Sequence, residues 1–425
     1  MPRIQDRRTD RCGRWILLLV LFPFIITERC AAREMKIVIG TDLHYISSQL
    51  EDGGERFMRL LYDADGKVCQ YSEEIVDAFL QEVIREKPDV LLLTGDLTFN
   101  GEKVSHEDLA EKLEKVRQAG IRVITFPGNH DLANKMARRF SGETLFFTPT
   151  IHADEFEKLY ASFGPDQALY RDGCSLSFVI PLSETLWLIC VDVNAEDSPG
   201  VLKEETLSWI RPILEEAAGR GVTILSASHQ NLLVHNKKFN MGFTMGNAGS
   251  LLELYRRYGV RLNLSGHMHI QHILTEESVT DIATSCMMTA PCQYGILTIA
   301  EDGACEYNTR AVDVRAWAQE KGLENEELLN FPSFARIFFD TMARRSAAKA
   351  LGGLNLDEEL QTRLTNGMTA LNRAYFAGRM DLMTSGKEIY EDWKKNCPDP
   401  FLLFYMKSIV QNETEDQNHW KGELK

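Results

Sequence analysis

The chain has 425 residues, a formal net charge of -15 and a pI of about 5.2. It is too long for a typical single domain, and its 44% hydrophobic and 26% charged residues are ordinary for a globular protein. Because an acidic surface repels polyanions, the composition argues against long nucleic acids as partners. It does not argue against a small anionic ligand held by metal ions, since bound cations dominate their local field.

The chain opens with an arginine-rich segment and the apolar run Trp15–Ile26. Such a run is too short to span a bilayer but matches the apolar core of a signal peptide. Cys30–Ala32 offers small residues near a cleavage position. We therefore expect residues 1–34 to form a signal peptide, with an uncleaved membrane anchor as the alternative. The expected location is extracellular or associated with the cell surface.

Five mainly apolar runs predict buried strands, and each run ends at a short polar motif. The runs are Lys36–Thr41, Val90–Thr94, Val123–Phe126, Val222–Ser228 and Val260–Ser265. Runs of this kind suit strands that are buried on both faces. The motifs that follow them are Asp42-Leu43-His44, Gly95-Asp96, Gly128-Asn129-His130-Asp131, His229 and Gly266-His267-Met268-His269.

The motifs supply side chains that bind metals. Since the carboxyl ends of such strands meet at one edge of a sheet, we expect the motifs to converge there. They offer enough ligands for two divalent ions: Asp42, His44, Asp96, Asn129, His229, His267 and His269. In extended chain the members of an i, i+2 pair point the same way, so each pair with that spacing could bind one ion. The glycines of the motifs permit close backbone approach.

The remaining elements before residue 312 alternate between helices and strands. Ser47–Lys67 is polar and predicts a long loop or hairpin at the mouth of the site. Amphipathic helices are predicted over Ser72–Lys87 and Glu204–Ala218, and a strand over Leu186–Val193. This alternation predicts an α/β fold with two face-to-face sheets and outer helices, in a domain spanning 35–312.

The pattern changes near Val314, and residues 313–425 predict a helical C-terminal domain. Its helices are predicted over Ser333–Leu351, Leu356–Ala377, Lys387–Asn396 and Phe401–Val410. Its aromatic residues are expected in its core or interface, with a cap over the metal site as the alternative. The polar tail, Gln411–Lys425, is expected to fray. Cys286 and Cys292 could bridge or remain free thiols.

The order D-x-H, G-D, G-N-H-D, H and G-H-x-H, spread over Lys36–Ile299, resembles the calcineurin-like binuclear metallophosphoesterase superfamily. The resemblance implies a four-layer α/β/β/α sandwich, here followed by an all-α domain. It also implies that Asp96 bridges two metals and that a hydroxide between them attacks phosphorus. The first metal would be held by Asp42, His44 and His269, and the second by Asn129, His229 and His267.

The same resemblance implies that His130 donates a proton to the leaving group, with Asp131 behind it. A histidine with an ordinary pKa near 6.5 is a suitable acid at neutral pH. Carboxylate, imidazole and amide ligands without cysteine favour Mn or Fe, with Zn or Co also suitable. Such ions lower the pKa of bound water and neutralise phosphate charge.

Differences between this sequence and related families indicate which branch of the superfamily it resembles most. Phe99 stands where purple acid phosphatases would carry a ligand tyrosine, and Asn100 stands where protein Ser/Thr phosphatases would carry a phosphate-binding arginine. The segments Asn100–Lys103, Ser105–Glu107 and His229–Leu233 instead resemble bacterial secreted cyclic nucleotide phosphodiesterases with a C-terminal helical domain. We therefore expect a metal-dependent phosphodiesterase whose substrate is a cyclic nucleotide. The alternatives are a phosphomonoesterase or nucleotidase on the same metals, and a metal-bound binding protein without activity.

Overall fold

A computed structural model of the protein describes residues 34–64, 66–411 and 415–425. The predicted signal peptide or anchor at 1–34 lies outside the described residues, apart from Glu34. Within the described part of the chain, no helix combines the length and apolar character needed to cross a membrane.

The elements of the first half alternate as predicted. In chain order they are β1 (Met35–Gly40), α1 (Glu55–Asp63), α2 (Ser72–Glu86), β2 (Val90–Leu93), α3 (Lys103–Gln118), β3 (Arg122–Thr125), β4 (Arg138–Ser141), β5 (Thr144–Phe147), α4 (Ala153–Leu159), β6 (Tyr170–Arg171), β7 (Phe178–Pro181), β8 (Leu186–Val191) and α5 (Glu204–Gly219).

The second half continues the alternation and then becomes helical. Its elements are β9 (Thr223–Ser228), α6 (Ala248–Tyr258), β10 (Leu262–Ser265), β11 (His272–Glu276), β12 (Val279–Ala283), β13 (Gln293–Ile299), β14 (Ala304–Ala311), α7 (Val314–Glu320), α8 (Glu326–Leu329), α9 (Phe331–Leu351), α10 (Glu358–Phe376), α11 (Gly386–Asn396), α12 (Pro400–Val410) and β15 (His419–Glu423).

The two large sheets are both mixed. The six-stranded sheet has the order β15-β14-β13-β1-β2-β3, and the seven-stranded sheet has the order β11-β12-β10-β9-β8-β7-β6. Strands β1, β2 and β3 are parallel, as are β8, β9, β10 and β12. Because parallel neighbours carry their carboxyl ends to the same edge, the loops after β1, β2 and β3 emerge together, as do those after β9 and β10.

Alternate side chains of each sheet build different cores. Ile37 and Ile39 of β1 pack with Leu225 and Leu264 between the two sheets. Val38, which points the other way, belongs to the core that the first sheet shares with α2 and α3. A third core joins the second sheet to α5 and α6. The layers are therefore α/β/β/α, and the predicted four-layer sandwich is confirmed.

The C-terminal part is helical, as predicted; α7, α8 and the start of α9 pack into the core of the first sheet, and the later helices share a second core. Trp393 is fully buried in it and donates its indole N–H to Leu364 O at 3.0 Å. The α/β region contributes the buried Met268 and Ile270 to this core, and Phe239 and Phe243 pack against it. The exact boundary at residue 313 stays a prediction.

Two local predictions were wrong. From Gln417 on the tail does not fray, because β15 pairs with β14, with Trp420 opposite Tyr307, and the Gln417 side chain accepts the Ile273 N–H at 2.7 Å. The stretch 47–67, of which Asp65 is outside the described residues, contains helix α1 instead of being only loop or hairpin. Only Phe57 and Leu61 of this helix are buried, and a single i, i+4 pair of apolar residues is too little to predict a helix from the sequence.

Cys292 is a buried free thiol, so the Cys286–Cys292 bridge is not formed.

Candidate metal centre

Every sequence-predicted ligand lies at one end of the sandwich. Two groups described below, and a third group of His44, His269 and Cys286 that overlaps the first, each offer ligand atoms that lie within 4.8 Å of one another. The first group contains Asp42, His44, Asp96 and His269, and the second contains Asp96, His229 and His267. Asn129 joins the second group, with its Oδ1 3.1 Å from His229 Nε2. Asp96 belongs to both groups, which is the position that a bridging carboxylate requires.

The first group surrounds a carboxylate oxygen that lacks a donor. Asp42 Oδ2 accepts hydrogen bonds from the His267 backbone N–H at 2.9 Å and from Thr41 Oγ1 at 2.8 Å. Asp42 Oδ1 is buried without a hydrogen bond and lies 3.3 Å from His269 Nε2. His269 Nε2 is in turn 3.2 Å from His44 Nε2. These atoms converge as they would around a cation, since a buried carboxylate oxygen without a partner is otherwise costly.

The second group has its imidazoles held in fixed orientations. His229 Nδ1 donates to Thr94 O at 2.8 Å, which fixes the ring so that Nε2 faces Asp96 Oδ2 at 3.2 Å. His267 Nε2 donates to Gly242 O at 2.9 Å, which leaves Nδ1 free to bind a metal. Backbone carbonyls that fix the tautomer are the usual outer partners of metal-binding histidines. Both groups therefore fit a pair of divalent ions, which the resemblance implies.

Mutual charges shift the pKa values in the site. Burial alone would lower the pKa of His229, but the Asp96 carboxylate raises it to about 9. Burial would raise the pKa values of Asp42 and Asp96, yet the neighbouring histidines hold both below their usual range. Burial lowers the pKa of His267 to about 4. The carboxylates thus stay charged, and a cation entering beside His229 must displace a proton.

The ligand backbone is left-handed at five positions. The φ angles are positive at Asp42, His44, Asp96, His267 and His269, with values of 50°, 38°, 46°, 66° and 58°. Asp42 and His44 face the site together, as do His267 and His269, as predicted. The predicted reason, an extended chain in which residues i and i+2 point the same way, was wrong. Each such residue costs on the order of 1–3 kcal/mol, which the surrounding structure must offset.

Glycines make these strained loops possible. A Cβ added at Gly128 would lie 2.2 Å from the Asp96 backbone nitrogen, and one at Gly266 would lie 2.0 Å from Thr41 Oγ1. Gly95, at φ +90°, would place a Cβ 2.8 Å from His229 Nδ1. The predicted role of these three glycines in close backbone approach is confirmed.

His130 faces the site without joining either ligand group. Its Nδ1 donates to Phe99 O at 2.9 Å, and its Nε2 lies 3.9 Å from Asp96 Oδ2. The side chain is 30% exposed, unlike the fully buried His44 and His229. This placement is compatible with the predicted proton donor.

Asp131 does not lie behind His130, so that part of the prediction was wrong. Its carboxylate accepts the backbone N–H groups of Leu97, Thr98 and Gly128 at 3.1, 3.0 and 2.8 Å. These hydrogen bonds hold the loop that carries Asp96 against the loop that carries Asn129. Burial and the nearby Asp96 charge raise the pKa of Asp131 to about 7.

His106 is a supporting residue that the sequence did not reveal. It is fully buried, with Nε2 3.0 Å from Asp131 O and Nδ1 2.9 Å from Tyr160 Oη. Burial lowers its pKa to about 3, so it is neutral. A single histidine near a helix start carries no sequence signal for such a role.

The C-terminal helices lie directly behind the His267–His269 segment. Met268, between the two histidines, belongs to the helical core with Tyr375 and Met406. The loop that carries Gly242 is held from the same side, since Asn236 Nδ2 donates to Tyr375 Oη at 2.7 Å. The helical region therefore supports the metal centre, a contact that no sequence motif indicated.

Comparisons with known families identify the class of protein to which this fold and these ligand groups belong. The calcineurin-like phosphoesterase family matches residues 35–271. A second family, described as the C-terminal domain of cyclic nucleotide phosphodiesterase, matches residues 313–416. The chain belongs to the calcineurin-like phosphoesterase family, so it is a hydrolase that acts on phosphate esters, as the sequence predicted.

Several curated relatives are similar over most of their own length. A probable glycerophosphodiester phosphodiesterase from Arcobacter nitrofigilis is 24% identical over 245 residues, covering 56% of this chain and 77% of the relative. A probable cyclic nucleotide phosphodiesterase from Coxiella burnetii is 23% identical, covering 57% and 78%. A cAMP/cGMP dual specificity phosphodiesterase from Mycobacterium tuberculosis is 24% identical, covering 61% and 70%.

Proposed function

We propose that this protein hydrolyses cyclic nucleotides to nucleoside monophosphates with two divalent metal ions. The observation that carries the proposal is the position of Asp96 Oδ2, 3.2 Å from His229 Nε2 and 3.9 Å from His44 Nε2. One carboxylate oxygen thus faces both ligand groups. The named activities of the relatives and the C-terminal family match support a phosphodiester substrate.

Each residue has a defined part in this proposal. Asp42, His44 and His269 would hold one ion, and Asn129, His229 and His267 the other, with Asp96 on both. Two ions so held lower the pKa of a water molecule and neutralise phosphate charge. With imidazole, carboxylate and amide ligands, Mn or Fe is favoured, and Zn or Co also fits.

His130 would protonate the leaving oxygen. Because its Nδ1–H is committed to Phe99 O, the proton it can transfer resides on Nε2, the nitrogen that faces Asp96. A positioned acid of this type contributes about 10²–10⁴-fold in rate. Opening the ring of a cyclic phosphodiester releases a ribose alkoxide, which takes up such a proton to become a hydroxyl group.

The N-terminal segment adds a proposal about location. The apolar run Trp15–Ile26 supports export, with 1–34 acting as a signal peptide or as an anchor. The metal centre and the helical domain, proposed as 313–425, would then act outside the cytoplasm or at the cell surface.

The test is a substrate panel on protein that has been stripped of metal and reloaded with Mn. We expect 3′,5′-cyclic AMP and bis(p-nitrophenyl) phosphate to be hydrolysed faster than 5′-AMP and p-nitrophenyl phosphate. Preference for the two monoesters would replace the proposal with a phosphomonoesterase or nucleotidase. No turnover of any of them with two metals bound would favour a binding role.

A further inference from the structure

Asp281 on β12 is a buried carboxylate outside the ligand groups. It lies opposite Asn263 in the parallel pairing of β12 with β10. Its Oδ2 accepts the backbone N–H groups of Leu232 and Leu233 at 2.7 and 2.9 Å. Its Oδ1 accepts hydrogen bonds from Ser265 Oγ at 2.8 Å and from Asn263 Nδ2 at 2.9 Å. Four donors at these distances offset the cost of burying a charge.

The carboxyl group of Asp281 is ionised at neutral pH. Burial would raise its pKa, but His235, whose Nε2 lies 3.2 Å from Oδ2, holds the pKa below its ordinary value. The Leu233 N–H and the Asn263 amide act in the same direction. An ionised carboxylate only accepts hydrogen bonds, so both oxygens can serve their donors at once.

The donors to Asp281 come from the two segments that carry the histidines of the second ligand group. The two leucines follow His229 in the loop after β9, and Ser265 ends β10 just before the segment of His267. One carboxylate oxygen thus holds the first segment and the other holds the second. Among the described residues, none of its hydrogen-bond donors lies in the loops after β1 and β2.

A second link joins the same two segments. Asn231, which is 1% exposed, donates Nδ2 to Ser265 Oγ at 2.8 Å and to Gly266 O at 3.2 Å. Because the Ser265 hydroxyl donates its one proton to Asp281, its lone pairs can accept from Asn231. The Gly266 N–H also donates to His229 O at 3.0 Å. These bonds and those of Asp281 together fix the spacing of the two histidine segments.

We propose that Asp281 is a positioning residue for the second metal ion and holds His229 and His267 at the separation that the ion needs. This inference rests on the two ions of the proposed function, but not on the identity of the substrate. The two imidazole rings have centroids 4.9 Å apart, so a shift of either segment would open the pair. Partners that orient metal ligands in this way contribute about 10- to 100-fold in metal affinity.

The variants remove one part of this network at a time. Asp281→Asn keeps the size of the side chain but turns one acceptor oxygen into an NH2 group, so one of the two segments loses its acceptor. Ser265→Ala is milder, because it removes only the hydroxyl between Asp281 and Asn231. Asp340→Asn is the matched control, since Asp340 is another buried carboxylate, 8% exposed and 2.6 Å from Arg373 Nη1.

Calorimetric titration of the metal-free proteins with Mn²⁺ measures the affinity of each ion. His267→Ala, which lacks a ligand of the second group, shows which affinity belongs to that group. The exchange-coupled EPR signal of a manganese pair reports whether both ions occupy the centre together. Urea unfolding of the metal-free proteins shows whether each variant folds.

We expect Asp281→Asn to bind the ion of the second group about 10- to 100-fold more weakly, to bind the other ion like the parent protein, and to show a weaker coupled signal at two Mn per chain. Ser265→Ala should show a smaller loss for the same ion, and Asp340→Asn should match the parent protein. Equal weakening of both ions in Asp281→Asn would overturn the inference, and so would unchanged affinities. If Asp281→Asn does not fold, Ser265→Ala decides, and unchanged affinities in that variant would overturn the inference.

Failure of the proposed function gives a different result. If the parent protein binds two Mn, hydrolyses no diester and loses affinity for one ion in Asp281→Asn, the inference holds and the phosphodiesterase proposal is wrong. If the parent protein hydrolyses cyclic AMP with two Mn bound and Asp281→Asn binds both ions equally well, the reverse applies. A parent protein that binds a single Mn would overturn both.

Discussion

The α/β region and the C-terminal helices contribute to the same site in different ways. The α/β region supplies every candidate ligand from short loops whose residues are polar, buried or half-buried, and in part left-handed. The helices supply no candidate ligand but share a core with Met268, between His267 and His269. Residues that bind metal are restricted in type, whereas residues that position them only need the right shape. The first kind can be recognised in a sequence, and the second kind needs the structure.

The largest expected effect comes from the carboxylate shared by both ligand groups. Asp96→Asn weakens the charge that holds both ions, so we expect a loss of at least about 10³-fold in turnover of 3′,5′-cyclic AMP and less than two metals per chain. Asp166→Asn, in an exposed 3₁₀ helix over Pro165–Gln167, is the control and should change neither. Full activity of Asp96→Asn would remove the basis of the two-metal proposal.

Loss of the proposed acid should separate chemistry from metal binding within the α/β region. His130→Ala should lower kcat by about 10²–10⁴-fold while both metals are retained, because His130 lies outside the ligand groups. His152→Ala is the control, since the His152 side chain is 60% exposed and pairs with Glu196. Metal loss in His130→Ala would make His130 a ligand and contradict the assigned role.

A pair of methionines tests whether the helical region positions the ligands. Met268 and Met406 lie in the same core and are 7% and 0% exposed. Replacing either with Ala should reduce the free energy of unfolding by about 2–5 kcal/mol. Only Met268→Ala should also weaken metal binding, by about 10-fold, because it disturbs the segment between His267 and His269. Equal metal affinity in the two variants would show that the helices do not act on the site.

The smallest effect concerns pH and the α/β region alone. Burial raises the pKa of Glu102 from 4.5 to about 7, and its Oε1 has no hydrogen-bond partner. Below pH 4.5 this carboxyl is neutral in both the folded and the unfolded states. As pH rises from 4.5 to about 7, the unfolded chain releases this proton while the folded protein retains it, so stability falls over that range and levels off above the folded pKa.

Glu102→Gln removes that charge. It should therefore raise the free energy of unfolding by about 1–3 kcal/mol at pH 8 and change it little at pH 4. Urea unfolding at the two pH values measures this difference. An equal effect at both pH values would mean that Glu102 is not titrating in this range.

The particular residues show what the sequence could and could not reveal. The order of Asp, His and Gly after apolar runs predicted the sandwich and the seven side chains that the structure brings together. It did not reveal the left-handed backbone at Asp42 and His44, because neither is a glycine. It also placed Asp131 behind His130, since adjacency in sequence does not show that Asp131 turns towards Leu97 and Thr98.

Long-range contacts account for the other misses. The β15 strand has a mainly polar sequence, and its pairing with β14 orders it. Asp281 is a single acidic residue within a strand, and the pairing of β12 with β10 brings it beside Ser265 and the segment after His229. No pattern of hydrophobic residues in the sequence reports such a contact.

The most direct test of the two-metal proposal is a titration of metal-free protein with Mn²⁺, with bound metal and cyclic AMP hydrolysis measured at each point. The proposal predicts that activity rises with the second equivalent and reaches its plateau at two Mn per chain, while Asp96→Asn stays inactive throughout. A plateau at one Mn per chain, or hydrolysis by the metal-free protein, would contradict a mechanism in which Asp96 holds two ions.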